Sequence, residues 1–302
     1  STGGILTCLY TCPDKNDADK SRFSSAEALN LYLENGSVIF SRSFLKKIFS
    51  FWGITDELFE ATNLENCLKK YLAETNLSQL RQRSIITSYD IASRKPYFFR
   101  SHKAKINSDF DFPLWQVCRG TSAAPTYFEP ALIKPLTGNE FPVIDGAVFA
   151  NNPALCAYAE ARQIFESGIE ERKMSGKKVS ASEMFILSVG TGTVRIPYSY
   201  QKAKKWGKAE WIRPVIDIMM SGVSDTVDFQ LKQIFDAVGH SENYIRLMPE
   251  LHGANEEMSD ASPKNLDALL NAGNKAVEFF DDKIDRIAQQ LIAKRTNEFR
   301  AV

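Results

Sequence analysis

Apolar residues recur along this chain in short blocks with two spacings, and those spacings predict most of its elements. Residues 3–10 are apolar almost throughout and predict a buried helix opening just after Ser1, followed by a polar loop over 13–20. Helical spacing of apolar positions predicts helices over 25–34 and 58–72, with Thr55 and Asn63 as cap or turn residues of the second. The runs 84–89 and 96–100 are β-branched or aromatic and read as two strands joined by a turn. A helix is expected over 114–124, stopping at Pro125. The apolar run 141–144 reads as a strand, and 153–165 as a helix whose first turn accepts Pro153. Near-continuous hydrophobicity over 184–189 predicts a buried strand ending in Gly190-Thr191-Gly192-Thr193, and 244–247 a short late strand. Helices over 265–271 and 275–295 close the chain, the last patterned by Val277, Phe280, Ile284, Ile287 and Leu291.

Strands separated by helices argue for an α/β layered domain. No Pro/Gly/Ser-rich stretch, charge block or repeat divides the 302 residues, so a single domain spanning 1–302 is expected. Lys+Arg 37 balances Asp+Glu 37, which removes the basic footprint of a nucleic-acid binder; nucleic acid is not an expected partner. The five cysteines (Cys8, Cys12, Cys67, Cys118, Cys156) are odd in number and sit mostly among apolar neighbours. They read as core fillers in a reducing compartment. No apolar stretch reaches the ~18 residues of a membrane span. A cytoplasmic or peripheral membrane location is expected.

Two short stretches carry the candidate chemistry. Ser1-Thr2-Gly3-Gly4 reads as the second half of a Gly-x-Ser-x-Gly nucleophile elbow, in which the serine sits on a tight strand-to-helix turn. The Thr2 backbone N–H is then one donor to an oxyanion, and the glycines let the turn pack without clash. Asp145-Gly146-Ala147 ends the apolar run with a carboxylate, the way a strand delivers an acid to a sheet edge. Each stretch also has a plainer reading. Ser-Thr-Gly-Gly occurs as a flexible segment, and Asp-Gly is a strong turn dipeptide.

Taken in order, Ser1-Thr2-Gly3-Gly4, Thr121-Ser122-Ala123-Ala124-Pro125-Thr126-Tyr127-Phe128, Asp145-Gly146-Ala147-Val148-Phe149-Ala150-Asn151-Asn152-Pro153 and Leu187-Ser188-Val189-Gly190-Thr191-Gly192 resemble the patatin-like phospholipases. The resemblance extends more loosely through Trp206-Gly207 and Val227-Asp228-Phe229-Gln230-Leu231. It implies a three-layer patatin-like α/β fold, with a mixed, largely parallel central sheet between helices. It also implies a lipid acyl hydrolase of phospholipase A or lysophospholipase type, acting on phospholipid or lysophospholipid through an acyl-serine intermediate. Ser1 is then the nucleophile and Asp145 the base, without histidine. The family's first strand and Gly-rich oxyanion loop are expected upstream of Ser1.

Three rivals stay open. Ser…Asp…His is also the order of an α/β-hydrolase triad, with His240 or His252 as the third member. Ser1 could act as an N-terminal nucleophile with its own α-amine as base. The fold could also serve as a catalytically silent lipid- or partner-binding domain. No ligand cluster calls for a metal, no cofactor is expected, and hydrolysis without calcium follows. Residues 38–52 and the run Lys202-Ala203-Lys204-Lys205-Trp206 with Lys208 and Trp211 mix aromatics with cations. Such a mixture suits peripheral membrane contact, and equally a helix with one buried face and snorkelling lysines.

Overall fold

The computed structural model describes residues 1–41, 59–166, 179–192 and 197–300. Thr55, Leu58, Thr193 and the aromatic and cationic positions from Phe44 to Trp52 lie outside the described residues. The chain forms two compact units, Ser1–Ile186 with Lys202–Tyr244, and Leu187–Gln201 with Ile245–Val302.

The first unit opens with helix α1 (Thr2–Thr11), α2 (Ser25–Ile39) and α3 (Ala61–Leu72). A capping box starts α2: the Ser24 hydroxyl accepts the Glu27 N–H while the Glu27 carboxylate accepts the Ser24 N–H. In α3, Leu64, Leu68 and Leu72 recur every fourth position and are buried, whereas Lys69 and Lys70 face water. Strands β1 (Ile85–Asp90) and β2 (Lys95–Arg100) follow, then α4 (Ser101–Ala104), α5 (Leu114–Thr121), β3 (Ala131–Ile133), β4 (Phe141–Asp145), α6 (Ala147–Ala150) and α7 (Ala154–Glu166). In chain order come β5 (Ile186–Val189), which passes into the second unit, α8 (Tyr200–Ala203), which returns to the first, and α9 (Lys208–Ala237) of the first unit. Strand β6 (Tyr244–Leu247) pairs with β5 in a two-stranded sheet. The second unit ends in α10 (Pro263–Phe279) and α11 (Asp281–Arg300).

The four-stranded sheet has the order β2-β1-β4-β3. It corrects the expectation of largely parallel pairing, because all three of its contacts are antiparallel. The connections explain this. Residues 91–94 join β1 to β2 and 134–140 join β3 to β4, and a parallel crossover needs a dozen residues or more. In the first turn the Asp90 carboxylate accepts the Ala92 and Ser93 N–H groups, and Arg94 takes a left-handed φ of 56°. Behind the sheet, Phe99 meets Phe112 edge-on at 5.2 Å, and Tyr97 lies 5.0 Å from Phe141. Leu72, Leu77, Leu80, Leu114, Val117, Ile133 and Val143 complete this core.

Several boundaries differ from expectation. Helix α5 stops at Thr121 rather than 124, because the Ser122 hydroxyl donates to the Cys118 carbonyl and turns the chain. Of the two closing helices the first is longer than predicted, running to Phe279, so that the second starts later, at Asp281, and ends at Arg300. Strand β5 is not buried on both faces: Ser188 is buried, but Leu187 and Val189 are exposed. Helix α9, 30 residues long, has no counterpart in the predicted elements. Cys8, Cys12 and Cys118 are buried, Cys67 and Cys156 half-buried, and all five are free thiols. No helix among the described residues is long and apolar enough to cross a membrane.

Candidate active site

Ser1 is the N-cap of α1, and its carbonyl accepts the Ile5 N–H at 3.1 Å. Its hydroxyl makes no capping bond to the helix, unlike the Ser24 hydroxyl of α2. Two glycines follow, and they do different things. A Cβ on Gly3 would have open space, but one on Gly4 would lie 2.8 Å from Thr121 Cγ2 and 2.9 Å from Ile86 Cγ2. Glycine at the second position therefore lets α1 press onto β1 and α5. The phenol of Tyr32 donates to the Thr2 carbonyl at 3.4 Å and ties α1 to α2.

Asp145 ends β4 opposite Ser88 of β1 and is buried. Its backbone N–H donates to the Ala123 carbonyl at 2.9 Å, which joins the 121–128 segment to the carboxylate strand. The Ser88 hydroxyl donates to the Ile144 carbonyl at 2.7 Å, and the Thr121 hydroxyl to the Thr87 carbonyl at 2.7 Å. Gly146 lies so close to Thr87 that a Cβ there would sit 2.5 Å from the Thr87 carbonyl carbon. β1, α5 and the β4–α6 turn are thus locked into one frame.

Within that frame, Asp145 Oδ1 accepts the Ala147 N–H at 2.8 Å and the main-chain nitrogen of Ser1 at 3.2 Å, across 144 positions of sequence. The residues singled out at the two ends of the argument, Ser1 with Thr2 and Asp145, are neighbours. A buried carboxylate oxygen that accepts the Ala147 N–H and pairs with the amine of residue 1 is held in a fixed orientation. His240 Nδ1 lies 3.3 Å from Glu242 Oε1, and His252 is exposed, with a left-handed φ of 47°.

Sequence reasoning missed a second polar cluster, because Arg100 and His102, at the end of β2 and in α4, meet an acid about sixty residues on, in α7. Buried Glu160 lies 3.0 Å from Arg100 Nε and 3.4 Å from His102 Nε2. Burial pushes the His102 imidazole below its ordinary pKa, and Glu160 opposes that shift without cancelling it. Among the described residues, no group of three or more His, Cys, Asp or Glu is placed to hold a metal ion.

The Patatin family model, described as patatin-like phospholipase, matches residues 1–158, a span containing Ser1, the 121–128 segment and Asp145. The chain belongs to the patatin-like phospholipase family. It is 31% identical to Patatin-like protein 1 of Arabidopsis thaliana over 293 residues, covering 91% of this chain and 69% of that protein. Patatin-2-Kuras 3 of Solanum tuberosum is 29% identical over 310 residues, covering 96% of this chain and 77% of that protein.

Proposed function

We propose that the chain is a lipid acyl hydrolase that uses Ser1 as nucleophile and Asp145 as general base. What supports the proposal is proximity: the amine of residue 1 lies 3.2 Å from the buried Asp145 carboxylate, as an ion pair, which brings the backbone that carries the Ser1 hydroxyl beside that carboxylate. Membership of the patatin-like phospholipase family supports ester hydrolysis of lipids in general. The same reading takes residues 1–302 as one patatin-like domain.

The chemistry follows from what each group can do. Serine is a weak nucleophile until its proton is taken, and a carboxylate of reference pKa ~4 serves as base at neutral pH only at hydrogen-bond distance. Asp145 removes the Ser1 proton as Oγ attacks the ester carbonyl, and the Thr2 N–H meets the developing oxyanion. Asp145 then returns the proton to the departing alcohol, a lysophospholipid or glycerol hydroxyl, leaving an acyl-Ser1 ester. Water deprotonated by Asp145 attacks that ester and releases the fatty acid. The substrate class is phospholipid or lysophospholipid, and neither metal nor cofactor takes part.

Fluorophosphonate labelling tests the nucleophile. Phosphonylation mapped by mass spectrometry to Ser1, and lost in Ser1→Ala, is the expected result. A folded chain that the probe leaves unlabelled rejects the hydrolase reading in favour of a silent lipid-binding domain, and labelling at another serine rejects Ser1 as the nucleophile.

A further inference from the structure

Helix α9 has two apolar faces where a packed helix needs one. At about 100° per residue, its buried positions Ser224, Leu231 and Phe235 cluster on one side of the helix. Trp211, Ile212, Val215, Ile218, Met219 and Phe229 fall in an arc of about 120° centred on the opposite side. All six are exposed, Met219 at 53% and Phe229 at 63%. None of the described side chains over 208–222 is buried, and the stripe residues Trp211, Ile212, Val215, Ile218 and Met219 are exposed. A contiguous exposed stripe of large apolar side chains marks a surface for something else.

The surroundings of the stripe say what that is. Lys202, Lys204, Lys205 and Lys208 are exposed at or just ahead of its start, where the Glu210 carboxylate accepts the Gly207 N–H at 3.0 Å. Between the lysines and the stripe, Trp206 and Trp211 meet edge-on at 4.9 Å. Cations, then paired indoles, then aliphatic side chains is the order in which a helix meets anionic headgroups, the interfacial layer and acyl chains. Helix α9 is held to the segment after Asp145 by its other side: Asn151, the C-cap of α6, donates its side-chain amide to the Met220 carbonyl at 3.1 Å.

We propose that the exposed face of α9, with the lysines that precede it, docks the protein on an anionic lipid surface. The relevance of a bilayer rests on the hydrolase reading above, since acyl lipid substrates reside in one.

Flotation with vesicles of phosphatidylcholine, with or without phosphatidylserine, tests the proposal, alongside hydrolysis of a water-soluble ester without vesicles. The wild-type chain is expected to float with the anionic vesicles and only weakly with the zwitterionic ones. The double variant Ile218→Ser with Met219→Ser should lose binding by about tenfold or more. Lys205→Gln with Lys208→Gln should lose about thirtyfold on anionic vesicles alone. All four positions are exposed, so soluble-ester turnover should hold in both variants. A wild-type chain that fails to float, or variants that float as well as it does, overturns the proposal. So does lipid-free self-association abolished by the apolar pair, which assigns the face to a second copy. Absent soluble-ester turnover with normal flotation rejects the hydrolase reading and leaves the docking surface standing.

Discussion

Gly146→Ala adds a single methyl group next to the candidate base, and its effect can be worked from the packing. Gly146 has φ −66° and ψ −13°, a conformation open to any residue, so flexibility is not what glycine provides here. It provides room. A Cβ would lie 2.5 Å from the Thr87 carbonyl carbon and 2.6 Å from Thr87 Cβ, with Thr87 Oγ1 closer still. Carbon atoms in contact sit at about 3.5–4.0 Å, so about 1 Å must be found. Thr87 cannot yield it: it lies inside β1, paired with Phe98, and its carbonyl accepts the Thr121 hydroxyl at 2.7 Å. The strain therefore falls on Asp145 and its pairing with Ser88. Overpacking costs about 1–3 kcal/mol and a weakened buried hydrogen bond about 1 more. At roughly 2–4 °C per kcal/mol for a chain of about this size, the unfolding temperature should fall by about 4–16 °C. A displacement of about 1 Å at the base should also cut turnover about a hundredfold. Thermal unfolding by circular dichroism and hydrolysis of a soluble ester well below the midpoint measure the two effects. A Gly146→Ala protein with wild-type stability and turnover refutes the packing argument.

The two glycines of α1 should respond oppositely to alanine. Gly3→Ala meets nothing and should raise stability by up to ~1 kcal/mol through helix propensity, whereas Gly4→Ala drives a methyl into Thr121 and Ile86 and should lower it. Equal shifts in urea midpoint contradict the docking of α1. His102 should make stability pH-dependent, because burial, with Lys103, Arg100 and Arg83, holds its folded pKa below the ordinary value despite Glu160. The unfolded imidazole titrates near ~6.5, so its contribution is complete above that pH and is lost as pH falls through the folded pKa. Wild type should lose more stability than His102→Gln between about pH 7.5 and about pH 5, and parallel curves contradict this.

What could be read from the chain followed from local patterns. Leu64, Leu68 and Leu72 repeat at one helical turn and do form one buried face. The run Phe141–Asp145 is a strand that carries its carboxylate to the end. Helix α9 escaped for the opposite reason: apolar residues on two opposed faces blur any single stripe, and Pro214 inside the helix reads as a break. Strand β5 looked buried because its residues are apolar, yet burial depends on what covers each face, and Leu187 and Val189 are exposed. Pairing direction is likewise a property of connections rather than of strand composition. The approach of Ser1 to Asp145 joins residues 144 apart, and no spacing rule within either segment encodes it. Only the order of four separated motifs pointed there.

Turnover of a soluble ester by Asp145→Asn, with unfolding temperature measured on the same samples, bears most directly on the pairing of serine and carboxylate. Asparagine keeps a side-chain oxygen for the Ala147 N–H and the Ser1 main chain but cannot take a proton. The dyad predicts a loss of about a hundred- to ten-thousandfold in rate with little change in unfolding temperature. Turnover within a few-fold of wild type contradicts it.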